Sequence, residues 1–174
     1  MVKAKLGELT DTLDAQGTVL ESALVASFTH EQVNASMQSL CPSYKQVPPV
    51  YSALKFQGQP LYALARNQKM SDEELDAIVQ QKAREVFIRE IELVAYEHPF
   101  FTFRAVVSKG TYVRSVANDI AIKLGTVATV YELCRTKVAG ICLAQTVTLE
   151  AIKSVADFEQ NLISCEQFPS LIDS

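Results

Sequence analysis

With 174 residues, 48% of them hydrophobic and 21% charged, the chain has the composition of a globular protein and the length of one domain. No stretch predicts a membrane span and no basic-then-apolar start predicts export, so we expect a cytoplasmic protein without a membrane role. The net charge of −4 argues against a generally basic surface, so RNA binding would need a local basic patch.

The first half of the chain carries clear local signals. The alternation of Val2, Ala4 and Leu6 predicts a strand. The turn signal at 14–17 predicts that a second strand follows it. Thr29 and Gln32 form a capping box that begins a helix, which places His30 in its first turn and exposed. The members of this helix expected to be buried or to form its hydrophobic staple are Phe28, Val33, Met37 and Leu40.

Further signals follow the same rules. Pro60 predicts a short helix to Arg66, and a second capping box, Ser71 with Glu74, predicts another helix. Two apolar strands are predicted over 86–95 and 101–107, with Phe103 facing the core. The spacing over 113–124 predicts an amphipathic helix that ends at Gly125. A strand from 140 and a helix over 149–155, capped by Thr148, complete the expectation.

The predicted fold class is therefore α+β, with a mixed, mainly antiparallel sheet and helices packed on it. Four cysteines without C-x-x-C spacing, and only two histidines, predict no metal site. A cytoplasmic chain with free thiols is the simplest interpretation. Cys134 and Cys142 are expected to be buried small hydrophobic side chains, and the alternative is that they lie on neighbouring elements. The cysteines are Cys41, Cys134, Cys142 and Cys165.

Arg114 stands in the first turn of the predicted 113–124 helix. A cation there faces the positive end of the helix dipole, so it needs an anion, either a carboxylate of this protein or a phosphate of a ligand. The alternative is a surface arginine whose head is solvated.

Residues 46–66 place aromatic and cationic side chains at short intervals after two prolines. This mixture suits RNA, because phosphates bind the cations and bases stack on the rings. The alternative is a proline-rich connection with two tyrosines packed beneath it. The cations of the expected patch are Lys45, Lys55, Arg66, Lys69, Lys109, Arg114, Arg135 and Lys137.

Four ordered blocks resemble the TruB family of tRNA pseudouridine synthases, from about residue 2 to about residue 150. Residues 6–17 match L-G-x-x-T-D-T-x-D-x-x-G, and residues 46–66 match Q-x-P-P-x-Y-S-A-x-K-x-x-G-x-x-L-Y-x-x-A-R. Residues 108–125 match S-K-G-T-Y-x-R-x-x-x-x-D-[IL]-x-x-x-L-G, and residues 133–136 are similar to L-R-R-T. Several blocks in the right order are far more specific than one short motif.

The resemblance implies an enzyme that isomerises the uridine at position 55 in the tRNA T-loop to pseudouridine, with an aspartate nucleophile and no cofactor or metal. The tRNA T-arm would be the partner. In the family pattern Arg114 pairs with the nucleophile and Asp14 joins its network, while Tyr112 and Leu133 border the base pocket. Leu133 in the core is the alternative. The residues expected to contact RNA are Lys109, Tyr51, Lys55 and Arg66.

Three departures from the family pattern matter. The sequence does not contain the G-T-L-D-P motif that carries the family's nucleophile. It also lacks the K-x-Y segment that carries the family's active-site tyrosine. We therefore expect a partial catalytic domain over 1–174, with an RNA-binding insert at 45–69, inactive without an N-terminal segment of the same protein. A non-catalytic RNA-binding or RNA-folding module, and a protein split into two chains, remain alternatives. Gln68 also replaces the glycine of the family's A-R-x-G, and about ten extra residues predict a helix there.

Overall fold

The computed structural model describes residues 1–162, which fall into two compact units, Met1–Leu133 and a second that begins at Cys134. The strands of the first unit are β1 (Val2–Leu6), β2 (Glu8–Thr10), β3 (Val19–Ser22), β4 (Ser43–Gln46), β5 (Lys55–Phe56), β6 (Gln59–Pro60), β7 (Arg84–Glu97), β8 (Phe100–Val107) and β9 (Ala128–Leu133). Its helices are α1 (His30–Gln38), α2 (Leu61–Arg66), α3 (Asp72–Gln81) and α4 (Val113–Lys123).

Five of these strands form one sheet in the order β4-β7-β8-β1-β9, and every adjacent pair in it is antiparallel. Val2, Ala4 and Leu6 are buried, as their alternation predicts, whereas Lys3 and Lys5 are partly exposed on the other face of β1. The expected antiparallel sheet with packed helices is confirmed. Strands β7 and β8 pair along nearly their whole length, so β7 extends two residues beyond the predicted 86–95 at each end.

Helices α1 and α4 contribute to the main core with the sheet. The capping box of Thr29 and Gln32 is present, His30 is exposed, and the apolar residues predicted on this helix belong to the core or pack against it. Phe103 is fully buried. The Ser36 hydroxyl donates a 2.6 Å hydrogen bond to the carbonyl of Ile120, which ties α1 to α4.

A second, smaller core lies in the segment that follows β4. The capping box of Ser71 and Glu74 begins α3, and the predicted apolar face of that helix is buried against α2. This core is separate from the main one and gives the segment 47–81 its own packing. Its buried residues are Leu61, Leu64, Leu75, Ile78 and Val79.

Helix α2 ends in a complete Schellman motif. The Lys69 amide donates to the carbonyl of Leu64 at 3.2 Å, and the Gln68 amide donates to that of Ala65 at 3.0 Å. Gln68 has a φ of +49°, a conformation that favours glycine. The glycine of the family pattern therefore corresponds to a left-handed position, which this chain fills with glutamine.

In the second unit, β10 (Lys137–Val138) and β11 (Ile141–Cys142) form a hairpin, so the strand predicted from Gly140 is present but short. The predicted helix over 149–155 is wrong. Only a 3₁₀ turn, Leu149–Ala151, follows Thr148, which makes no side-chain cap bond. Helix α5 (Val155–Gln160) begins later, because the Ser154 hydroxyl accepts from the Asp157 amide.

The cysteines only partly follow the expectation of buried thiols. Cys41 and Cys142 are half-buried, but Cys134 is exposed, so the expectation is wrong there. Cys165 lies outside the described residues. Over the described part of the chain no helix is long and apolar enough to cross a membrane.

Candidate active site

Three distant segments meet at the guanidinium of Arg114, in the first turn of α4. Its Nη1 donates to the carboxylate of Asp14 at 3.1 Å and to the backbone carbonyl of Thr12. Its Nη2 donates to the carbonyl of Tyr51 at 3.0 Å. The arginine side chain is 26% exposed, so the bonds form at the edge of the protein interior. The anion that the helix position requires is therefore a carboxylate of the protein itself.

The turn that carries Asp14 is held by its own side chains. The Thr12 hydroxyl and the Gln16 amide donate to Asp14 Oδ1 at 2.8 and 3.2 Å, and the Thr10 hydroxyl donates to the Asp14 carbonyl. Leu13 has a φ of +60°, which is strained for a leucine. An isolated parallel bridge to Val130 on β9 fixes the turn against the sheet.

The remaining donors of Arg114 define what the site can still bind. Within residues 1–162 its Nε–H and one Nη2–H make no hydrogen bond. Two N–H donors on one guanidinium are what a second carboxylate needs for bidentate binding. Both carboxylate oxygens of Asp14, by contrast, already accept hydrogen bonds. Arg114 can thus orient another carboxylate. The carboxylate oxygens of Asp14, however, are already bound by Arg114 and by donors of the turn that carries Asp14.

Tyr112 is the N-cap residue of α4, two positions before Arg114, and it is half-buried. Its backbone is bound by the side chain of Gln46, the last residue of β4. The Tyr112 amide donates to Gln46 Oε1 at 2.8 Å, and Gln46 Nε2 donates to the Tyr112 carbonyl at 3.1 Å. The start of the helix is thus attached to the sheet.

Gln46 is itself part of a buried polar chain. Its Nε2 also donates to the Tyr44 hydroxyl at 2.6 Å, and that hydroxyl donates to Asp119 Oδ2 at 2.7 Å. Burial raises the pKa of Asp119 to about 6, although the hydrogen bond from Tyr44 and the charge of Lys123 act in the opposite direction. Burial also raises the pKa of the Tyr44 hydroxyl, so it stays protonated.

The insert brings Tyr51 and Arg66 close to the turn at residues 10–18. Burial raises the pKa of the Tyr51 hydroxyl, the Asp11 carboxylate raises it further, and the charge of Arg66 lowers it. The Asp11 carboxylate accepts from the Thr18 amide at 2.8 Å, so it binds backbone within its own turn. Lys55 and Arg66 are exposed, and neither forms an ion pair with another described residue.

Two further predicted site residues lie at the surface. Lys109 is exposed in the turn before α4. Leu133 is 52% exposed at the end of β9, three residues after the Val130 that Asp14 bridges, so the alternative of a core leucine is wrong. Lys45 and Lys69 are exposed as well, and Arg135 and Lys137 are exposed in the second unit. The structure thus joins Arg114, Asp14 and Tyr51 directly, whereas the other predicted cations are exposed.

Sequence reasoning did not assign a role to three groups at this site. The carbonyls of Thr12 and Tyr51 leave no trace in sequence, because every residue carries one. Gln46 did leave a signal, since it opens the Q-x-P-P block. No three His, Cys, Asp or Glu side chains gather as metal ligands in the described ranges.

Residues 1–113 match the family model described as TruB family pseudouridylate synthase, N-terminal domain. A protein named tRNA pseudouridine synthase B from Pseudomonas fluorescens is 41% identical over 152 residues, covering 87% of this chain and 47% of that protein. Its namesake from Neisseria meningitidis is 35% identical over 164 residues, covering 93% and 51%. A third, from Syntrophotalea carbinolica, is 38% identical over 172 residues, covering 95% and 54%.

The chain therefore spans about half the length of these curated relatives. Among solved structures, a chain in the crystal structure of a Cbf5-Nop10-Gar1 complex aligns with a TM-score of 0.56. The alignment covers 86% of this chain and 32% of the other, at 20% identity. A likeness at that identity shows a shared fold.

Proposed function

The chain belongs to the TruB family of pseudouridylate synthases, and on that premise we propose that it supplies the arginine-bearing part of an active site that isomerises uridine in tRNA to pseudouridine. The observation that carries the proposal is the arrangement at Arg114. Three acceptors fix its guanidinium, while two N–H donors remain for a further carboxylate.

The reaction breaks the bond between ribose and uracil, turns the base and rejoins it through carbon. An aspartate is a suitable nucleophile, because it is ionised at neutral pH and can leave again. A guanidinium beside that aspartate favours its ionised form and sets its direction. In this proposal Arg114 does both, and Asp14 keeps Arg114 in place.

The substrate proposed is the T-arm of tRNA, with the uridine at position 55 of the T-loop as the target. That base must leave its stack to be reached, at a cost of a few kcal/mol. Tyr112 beside Arg114 and the exposed Leu133 on β9 are the candidates for contacting it. The insert at 45–69 would hold the T-arm backbone through the exposed Lys55 and Arg66, with Tyr51 at its base, and Lys109 would add a phosphate contact.

We also propose that the chain, as a partial catalytic domain over 1–174, does not catalyse the reaction alone. Its sequence has no G-T-L-D-P block, and the aspartates near the site already have partners. Asp14 is bound to Arg114, Asp11 to the Thr18 amide and Asp119 to Tyr44. The nucleophile would come from an N-terminal segment of the same protein, and the whole would act on tRNA in the cytoplasm.

The test uses a T-arm stem-loop RNA with the chain in stoichiometric excess, and it measures both binding and pseudouridine formation. We expect binding without product, and product after addition of a polypeptide that carries the G-T-L-D-P block. Binding without product even after that addition favours the alternative of a non-catalytic RNA-binding module. Product from the chain alone would show that one of its own aspartates is the nucleophile, and absence of binding would contradict the proposed insert.

A further inference from the structure

Gln46 is a deeply buried polar side chain next to the candidate active site. It is 1% exposed, and its amide makes three hydrogen bonds, to the backbone N–H and carbonyl of Tyr112 and to the Tyr44 hydroxyl. A buried amide with these bonds made is stabilising, whereas losing one partner leaves a costly unpaired group. The Gln46 side chain must therefore keep one orientation for all three hydrogen bonds to form.

Helix α4 has no side-chain cap at its start. The N-cap position usually carries a short polar side chain that binds the first free amides, but Tyr112 makes no side-chain cap bond. Its carbonyl accepts the first helical bond, from Val116 at 3.0 Å, while its own amide lies outside the helix. Gln46 binds that amide and carbonyl together, so a strand residue fixes the helix start from the side.

The orientation of the Gln46 amide follows from its partners. A backbone N–H can only donate and a carbonyl can only accept, so Oε1 must face the Tyr112 amide and Nε2 its carbonyl. The second hydrogen of Nε2 then points to the Tyr44 hydroxyl, which accepts it and donates its own proton to Asp119. Since Asp119 lies on α4, five residues after Arg114, the chain of bonds returns to the helix that it positions.

We propose that Gln46 is a positioning residue, which fixes the backbone of Tyr112 and thereby the directions of the Tyr112 ring and the Arg114 guanidinium, while Tyr44 and Asp119 hold its amide in one orientation. What the positioned side chains do rests on the function proposed above. The positioning itself belongs to the folded chain and is measurable without RNA.

Two substitutions at Gln46 distinguish the hydrogen bond that its Oε1 accepts from those that its Nε2 donates. Gln46→Leu removes every hydrogen bond of the side chain. Gln46→Glu keeps an acceptor for the Tyr112 amide but loses both donors, so it faces the Tyr112 carbonyl with a carboxylate. Ser36→Ala is the matched control, because it removes another buried bond between a side chain and an α4 carbonyl, that of Ile120, near the other end of the helix.

The measurement is amide hydrogen exchange by NMR on the full chain, with the guanidinium resonance of Arg114 as a second local signal. We expect Gln46→Leu to speed exchange of the Tyr112 amide about tenfold beyond the change at other slow amides, and to shift the Arg114 resonance. Gln46→Glu should retain more protection at Tyr112 than Gln46→Leu does. Ser36→Ala should change neither local signal beyond its effect on global stability.

Uniform loss of protection in both Gln46 variants, matching the Ser36→Ala pattern, would show that Gln46 is a general stabiliser and would overturn the proposal. If Gln46→Leu does not fold, Gln46→Glu and Tyr44→Phe take its place. Gln46→Glu leaves one bond to Tyr112, whereas Tyr44→Phe leaves both and removes only the hydroxyl that orients the Gln46 amide. T-arm binding is measured separately on the unmodified chain, so a failure of RNA binding refutes the proposed function and leaves the exchange result standing.

Discussion

Asp14 and Arg114 lie one hundred residues apart in the chain, and an ion pair of 3.1 Å joins Oδ2 of the first to Nη1 of the second. The pair connects the β2–β3 turn to the first turn of α4. Since Arg114 also binds two backbone carbonyls, it ties three segments of the unit together.

The first prediction concerns the free energy of unfolding. Asp14→Asn should lower it by about 0.5–1 kcal/mol, because both side chains are partly exposed and screened. Arg114→Lys should lower it by about 2 kcal/mol, because a single ammonium cannot reach three acceptors in fixed directions. Urea unfolding of both single variants and the double variant measures the coupling, which we expect to be near 1 kcal/mol. Because lysine keeps the positive charge, fully additive effects would mean that the guanidinium adds nothing to the pairing with Asp14 beyond what an ammonium provides.

The second prediction concerns Lys55 in the β5–β6 hairpin. Lys55→Gln should weaken T-arm binding and reduce the slope of log affinity against log salt by about one, because one phosphate contact is lost. Lys123→Gln removes the same charge from the last turn of α4, about 14 Å along the helix from Arg114, and should leave the slope unchanged. Titrations at several salt concentrations give both slopes. Equal slopes for the two variants and the unmodified chain would rule out a phosphate contact at Lys55.

The third prediction concerns the left-handed residue after α2. Gln68→Gly should raise the free energy of unfolding by about 0.5–1 kcal/mol, since glycine adopts a φ of +49° without the strain of a Cβ atom. Asn67→Gly, one residue earlier at a φ of −86°, should lower it by a similar amount, because there glycine only adds freedom to the unfolded chain. Thermal and urea unfolding measure both. A loss of stability in Gln68→Gly would show that the glutamine side chain makes a stabilising contact.

The fourth prediction concerns pH and Asp119. Because its pKa is about 6 in the folded chain and near 3.9 when unfolded, the folded state binds the proton more tightly. The free energy of unfolding should therefore fall as pH rises from about 4 to 6, by up to roughly 3 kcal/mol. Asp119→Asn keeps an acceptor for Tyr44 but cannot ionise, so it should lack this fall and be the more stable form above pH 6. Parallel stability curves for the two proteins would contradict the raised pKa.

The features that the sequence predicted correctly depend on residues close together in the chain. The capping boxes at Thr29 and Ser71 depend on residues three apart, and both begin helices as predicted. The alternation in β1 and the spacing in α4 also gave the correct buried faces. Thr148 failed because a better-placed serine caps the helix six residues later.

The site was only partly predictable. The pairing of Asp14 with Arg114 was expected from a family pattern and from the need for an anion at a helix start. The other two acceptors of Arg114 are backbone carbonyls, whose positions depend on how distant segments pack. The exposure of Leu133 likewise depends on where a strand ends in the sheet, which residue type alone does not fix.

The place of β1 at the interior of the five-stranded sheet has a consequence for the order of folding. Val2 pairs with Phe103 on one side and Leu133 on the other, so both neighbours lie about a hundred residues or more along the chain. Contacts of such high sequence separation form slowly, because the loop must close before they are gained. During synthesis on a ribosome the sheet can close only after residue 133 has emerged. Until then the small core of the segment 47–81 can already form, because its buried residues lie close together in the chain.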